Sequence, residues 1–285
     1  MIEENYYTES FFKSIEQSAL HSAQKIIPLV MELLQPNTVI DVGCGLGTWL
    51  SVFKEHGVED ILGIDGDYVE RKKLQIPEES FLSVDLKKPL TLDRKWDLVV
   101  SLEVAEHLPD SSAEIFVNSL AKLGKVILFS AAIPFQEGEN HLNEQWQDYW
   151  KKHFENIGYL PVDCIRRRVW QNSHVAYWYA QNILIYVERE YLENHQLLKQ
   201  EFDNMGTSQL AIVHPEKYLQ VVDKYLEAFK MAEGYQKAAE WHQKEAEGYK
   251  YAADPKNMSL KKVLSALPIV TLNGFKRTIK NFLKK

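Results

Sequence analysis

An α/β fold built on a mostly parallel sheet is what this chain of 285 residues predicts, and three observations predict it. Apolar, β-branched runs of strand length alternate with helix-compatible segments from about residue 38 to 132. The first of these runs, Thr38 to Val42, leads directly into a turn with glycine at 43, 45 and 47. Two late runs then follow each other without room for a crossover helix, so they pair antiparallel at one edge.

Taken in order, the chain begins with a helix from Ser10 to Leu34, in which Phe11, Phe12, Ile15, Ala19, Leu20, Ala23, Ile26 and Ile27 recur at helical intervals. Pro36 and Asn37 end it, and its position before the first strand makes it a cap over the ligand site. After the glycine turn a helix opens at Thr48 and closes near His56. Strands are expected near 60–65, 81–85, 98–103 and 125–132, with a helix at about 111–122. A helix over 145–157 stops at Gly158, and strands around 161–170 and 175–188 form the antiparallel edge.

The chemistry starts at the turn. Glycine lets backbone pass through positive φ and lets a ligand lie against it, while the following helix offers free N–H groups. Asp41 stands two residues before the first glycine, and the strand Asp60 to Asp65 ends in a carboxylate that can accept both hydroxyls of a ribose. No lysine follows the glycines, so a phosphate-cradling loop is not written here, and the ligand is a nucleoside with little or no phosphate.

A second constellation lies at the end of the strand near 98–103. Ser101 to His107 contains E-x-x-E-H, and the loop after the next strand presents His141. Glu103, Glu106, His107 and His141 form a mixed oxygen and nitrogen donor set that suits Mg²⁺, Mn²⁺ or Fe²⁺ and leaves positions open. A metal-free reading stands beside it: the Glu at the end of the strand touches the cofactor or caps a helix, His141 caps the following helix, and His107 is a general base. Trp146, Tyr149, Trp150, Trp170, Tyr177, Trp178 and Tyr179 either overhang the acceptor as stacking faces or fill the core of the edge. Arg166, Arg167, Arg168, Gln171, Asn172, Gln181 and Asn182 are placed to supply hydrogen bonds or to meet a phosphate.

The segments DVGCGLGTWL, GIDGDYV, SVDL and DLVVSLEVAEHL, in this order and spacing, resemble the successive cofactor motifs of class I S-adenosylmethionine-dependent methyltransferases. The likeness covers about residues 20–190. It implies a Rossmann-like, seven-stranded, mostly parallel sheet with an antiparallel edge hairpin, and S-adenosylmethionine as cofactor. On the matching positions it assigns cofactor contacts to Asp41, Gly43, Cys44, Gly45, Gly47, Asp65, Gly66, Asp85, Leu86 and Leu102, with ribose on Asp65 and adenine at Asp85 and Leu86.

E-x-x-E-H with a distal histidine is similar to the metal motif of small-RNA 3′-terminal 2′-O-methyltransferases and of ubiquinone-pathway O-methyltransferases. That implies a vicinal-diol acceptor, with Glu103, His107 and His141 catalytic. The stretch FSAAIPFQEGENHLNEQWQDYW, with WYAQN after it, resembles bacterial methyltransferases found with surface-polysaccharide genes. The leading expectation is therefore O-methylation of a sugar in a surface glycan or its lipid-linked precursor. Behind it stand a metal-dependent RNA 3′-terminal methyltransferase, a catechol or quinone methyltransferase, and a methyltransferase-like oligomeric scaffold without activity.

The net charge of −7 argues against a general nucleic-acid binder. It hides an asymmetry, because residues 259–285 carry seven Lys or Arg and no acid, leaving −14 on the rest. Two cysteines, Cys44 and Cys164, make neither a disulfide framework nor a zinc site, which fits a reducing, cytoplasmic compartment. The start is polar and acidic, with no signal peptide, and no apolar run approaches the roughly 18 residues of a membrane span.

Three parts are expected: a methyltransferase domain with its helical cap over 1–190, a helical stalk over 191–254, and a basic amphipathic tail over 255–285. Within the stalk a seven-residue register places Tyr218, Val221, Tyr225, Ala228, Ala232, Tyr235, Ala239, His242, Ala246 and Tyr249 on one seam. It reads as a coiled coil that makes a homo-oligomer, or as one amphipathic helix lying on the catalytic domain. The tail docks on an anionic membrane surface or a partner protein, or packs on the acidic body of its own chain.

Overall fold

The computed structural model describes residues 9–205 and 209–253, with side chains over 16–205 and 209–251. Its strands are β1 (Thr38–Val42), β2 (Asp60–Asp65), β3 (Phe81–Ser83), β4 (Leu98–Leu102), β5 (Val126–Ser130), β6 (Tyr159–Val162) and β7 (Leu184–Glu188). They form one seven-stranded sheet in the order β3-β2-β1-β4-β5-β7-β6. Every neighbouring pair is parallel except those of β7, which runs antiparallel to both β5 and β6.

The helices are α1 (Glu9–Leu34), α2 (Thr48–Glu55), α3 (Ala113–Leu123), α4 (Gln147–Asn156), α5 (Arg166–Val169), α6 (Tyr177–Asn182), α7 (Arg189–Asn194), α8 (Gln196–Asn204) and α9 (Pro215–Ala253). Successive strand residues point to opposite faces, so consecutive apolar residues feed two cores. Val39 belongs to the cluster with Ile26, Phe53 and Ile183, and Ile40 to the one with Phe116, Phe129 and Phe154. Both faces of the sheet are thereby dry, as expected of a parallel sheet covered on two sides.

The central strands and helices fall where the hydrophobic runs place them. The edge differs. Expected strands over 161–170 and 175–188 shorten to β6 and β7, and α5 and α6 occupy the chain between them. The aromatic run Tyr177-Trp178-Tyr179 has strong strand propensity, yet it forms α6, because Tyr179 is drawn into the core against Trp49 at 5.1 Å between ring centroids. The side chains of residues 9–15, the start of the helix expected to cap the ligand site, lie outside the described residues. The rest of α1 packs along α2, and among the described residues none of α1 lines the cavity below.

The chain divides into two compact units, Met1–Leu219 and Gln220–Lys285. The body therefore continues past the boundary expected at residue 190: Leu192 of α7 and Leu198 of α8 are fully buried in its core. The described part of the second unit is one uninterrupted helix, the remainder of α9. The basic tail expected over 255–285 lies outside the described residues. Among the described residues no helix is long and apolar enough to cross a membrane.

Candidate functional site

β1 and β4 are neighbours in the sheet although β2 and β3 separate them in the chain. The connections leave β1 and β4 in opposite directions, which opens a crevice at the strands' carboxyl ends. A cavity of about 1050 Å³ lies there, lined among others by Gly43, Gly45, Asp65, Gly66, Asp85, Leu86, Glu103 and His107.

The glycine turn forms its floor. Gly43 N and Cys44 N donate to Ile64 O at 2.7 and 3.1 Å, fastening the turn to the end of β2. Gly43 has φ +88°, and a Cβ there would lie 2.3 Å from Cγ2 of Val104, so both conformation and space demand glycine. Asp65 is almost fully buried and its Oδ2 accepts Gly45 N at 2.7 Å. Asp85 and Leu86 stand on the far wall, and the Lys87 backbone N–H holds the Asp85 carboxyl below the usual range. The other expected cofactor residues lie beneath the lining. Asp41 is buried, and burial together with the Asp65 charge raises its pKa well above the ordinary value. Cys44 packs its sulfur over Gly63, Gly47 carries φ +82°, and Leu102 is core.

The acidic motif separates into two groups. Glu106 and His107 sit in a single 3-10 turn after β4, and Leu142 N and Asn143 N both donate to Glu106 O, at 2.8 and 3.0 Å. Those bonds bring the 131–146 loop back over the turn and set His141 against His107, ring centroids 4.9 Å apart. Ligand atoms of Glu106, His107 and His141 all lie within 4.8 Å of one another.

Glu106 is 0% exposed, and neither carboxylate oxygen completes a hydrogen bond, although the backbone N–H groups of Glu106 and Ala132 lie near it. Burial and the nearby Glu103 charge raise its pKa well above the usual value, whereas burial and His141 lower that of His107. His141 Nδ1 lies 2.9 Å from Glu144 Oε1, which leaves Nε2 for a further partner when Nδ1 carries the proton. A buried carboxylate beside two imidazoles is a donor set that fits a divalent transition-metal ion such as Mn²⁺ or Fe²⁺.

Glu103 stands apart from that trio. It has φ +55°, its N–H is held by Ser130, and its carboxylate turns to Gln136 Nε2 at 2.6 Å and Asn182 Nδ2 at 3.1 Å. Gln136 Oε1 in turn accepts Asn182 and Gln181, and the buried Lys217 ammonium donates to Gln136 O at 2.9 Å. Burial pushes the Glu103 pKa up to about 7, against the pull of Ser130, Asn182 and Gln136. Left-handed φ at Phe135, Glu137 and Asn140 shows that the loop carrying His141 is held in a costly shape.

The sequence singled out Gln181 and Asn182 but missed Gln136 and Glu144, and also Tyr68, which lines the cavity and donates its hydroxyl to Asp65 Oδ1. Gln136 and Glu144 stand in the same stretch as His141, and a polar loop after a buried strand is the one signal that marks them.

The aromatic group divides. Trp150 packs in the core against Phe129, while Trp146 and Trp170 line a shallow second depression of about 710 Å³ with Asp148 and Gln209. The three arginines expected to meet a phosphate are engaged instead. Arg166 is buried and paired with Asp163 at 2.6 Å, Arg167 pairs with Glu201, and Arg168 pairs with Glu201 and Glu32.

A nucleoside-sized crevice at the switch point, with a glycine turn and an acid ending β2, is the mark of a nucleoside-binding protein of the α/β class. The methyltransferase-domain family matches residues 17–172, more than half of the chain, and the chain belongs to that family. Over 162 residues it is 28% identical to the ribosomal protein L11 methyltransferase of Lactobacillus johnsonii, covering 54% of this chain and 43% of that protein. The chain thus spans less than half the length of the curated relative it matches.

Among solved structures it is similar to magnesium protoporphyrin IX methyltransferase from Synechocystis, at 18% identity, TM-score 0.49, and coverage of 65% of this chain and 89% of that one. It is also similar to the sugar N-methyltransferase KedS8 from Streptoalloteichus, at 14% identity, TM-score 0.49, and coverage of 66% and 96%.

Proposed function

We propose that this methyltransferase acts on a sugar hydroxyl of a bacterial surface glycan or its precursor, with a divalent ion held by Glu106, His107 and His141. The observation that carries this reading is Glu106, a fully buried carboxylate whose oxygens complete no hydrogen bond, beside His107, which lines the cofactor cavity. A carboxylate in that state is costly unless a proton or a cation satisfies it, and the two imidazoles nearby favour a cation. When bound, S-adenosylmethionine supplies an electrophilic methyl group, and the ion supplies a Lewis acid for vicinal hydroxyls.

The chain's own residues do the rest. Asp65 and the glycine turn hold the nucleoside, and Glu144 orients His141 through Nδ1. Glu103 lines the cavity with its carboxylate fixed by Gln136 and Asn182, and a pKa near 7 suits it to accept the acceptor's proton at neutral pH. An RNA acceptor is disfavoured by the charge of −14 on the chain outside its basic tail. We extend the proposal to a homo-oligomer made through residues 218–252 and to a tail over 259–285 that meets an anionic membrane surface or a partner protein.

Two measurements test this. Mn²⁺ titration followed by electron paramagnetic resonance should show one tight site that Glu106→Gln and His141→Ala each remove. Labelled methyl transfer should reach glycans or lipid-linked sugars, and should stop in chelator. Full turnover in chelator with no Mn²⁺ site would remove the ion from the mechanism, and label entering only RNA or protein would displace the sugar acceptor.

A further inference from the structure

We propose that Tyr68 is a resident ligand of the ribose-binding carboxylate, and that its phenol must leave Asp65 before a cofactor diol can grip both oxygens, so that Tyr68 sets cofactor affinity. The inference rests on the nucleoside reading of the cavity given above. It follows from counting acceptor positions on Asp65. A carboxylate offers about four lone-pair positions, two on each oxygen. Oδ2 takes Gly45 N at 2.7 Å and keeps one position free. Oδ1 takes Gly66 N at 2.6 Å and also the Tyr68 hydroxyl, and is full. A vicinal diol that donates one hydrogen bond to each oxygen needs a position that Oδ1 does not have.

Of the three donors, only Tyr68 can withdraw cheaply. Gly45 N belongs to the turn that Gly43 and Cys44 fasten to β2, and Gly66 N is the backbone immediately after Asp65. Tyr68 is a side chain 78% exposed to solvent, so its ring has room to swing and its hydroxyl finds water when it leaves. The packing makes the same point from the other side. The ring folds back over Gly66, where a Cβ would lie only 2.2 Å from it, and both residues line the cofactor cavity. The ring therefore covers the end of β2, where the ribose has to approach Asp65.

If a competitor occupies the site in most molecules, the apparent dissociation constant rises by the inverse of the free fraction. Tyr68→Phe removes the hydroxyl and keeps the ring, so S-adenosylhomocysteine and S-adenosylmethionine should bind roughly tenfold more tightly to the variant, the change expected from one hydrogen bond to a charged group. Isothermal titration of the full chain provides the measurement, with the 2′- and 3′-monodeoxy analogues of S-adenosylhomocysteine as further probes. The analogue whose remaining hydroxyl uses the free position on Oδ2 should show little gain in the variant. Equal or weaker binding by Tyr68→Phe would overturn the proposal while leaving the cofactor reading in place. Silence of both proteins toward both nucleosides would overturn the two together.

Discussion

Glu103 shows how one residue couples the site to stability. Its folded pKa of about 7 stands above the ordinary 4.5, with burial as the main cause. Between those values the folded state holds a proton that the unfolded state has released, so stability falls as pH rises through this window and levels off above it. Glu103→Gln removes the titration and keeps an acceptor for Gln136. Thermal melts should therefore show wild type and variant alike near pH 4.5 and the variant more stable at pH 8, by about 1–3 kcal/mol. A constant difference across the range would place the charge elsewhere. The candidate residues Asp65, Glu106, His107 and His141 could be picked out because their types and spacing form a local pattern, and the structure sets the last three together and Asp65 on the cavity wall. Gln136 and Asn182 as partners of Glu103 were not, since those bonds join residues 33 and 79 positions apart, and no local pattern records such a meeting.

At the scale of elements, the strand, glycine turn and helix were readable because each local preference agrees with its neighbours. β-Branched residues make β1, and glycine with φ +88° at position 43 makes the turn. At the edge the antiparallel pairing came out as expected, and only the strand limits differ, where aromatic residues of high strand propensity met a core that needed them on a short helix. The turn offers a direct test. Gly43→Ala adds a methyl group in a left-handed conformation and drives it against Val104, so a loss of about 2–4 kcal/mol and of measurable S-adenosylhomocysteine binding is expected. Adding Val104→Ala removes the steric part and leaves the conformational part, so melting should recover in part. No recovery would mean that the contact with Val104 is not the cause.

For the whole molecule, the question is what the second compact unit is for. α9 runs for 39 residues, about 58 Å at helical rise, and exposes Tyr225, Phe229, Tyr235 and Trp241. An isolated helix draws most of its stability from packing of a face, and burying aromatic side chains is the strongest source available to this one. The seam from Tyr218 to Tyr249 puts alanines at 228, 232, 239 and 246 between larger residues, which lets a second helix approach closely. Leu219, Leu226, Phe229, Met231 and Trp241 lie off that seam, so more than one face has apolar surface to cover and an assembly larger than two strands is within reach. A chain ending at Leu219 keeps Lys217 on Gln136 and the whole first unit. Light scattering should give a multiple of 33.1 kDa for the full chain and a monomer for the shortened one, while both bind S-adenosylhomocysteine alike. A monomeric full chain would sink the stalk, and an oligomer that survives the truncation would move the interface onto the catalytic body.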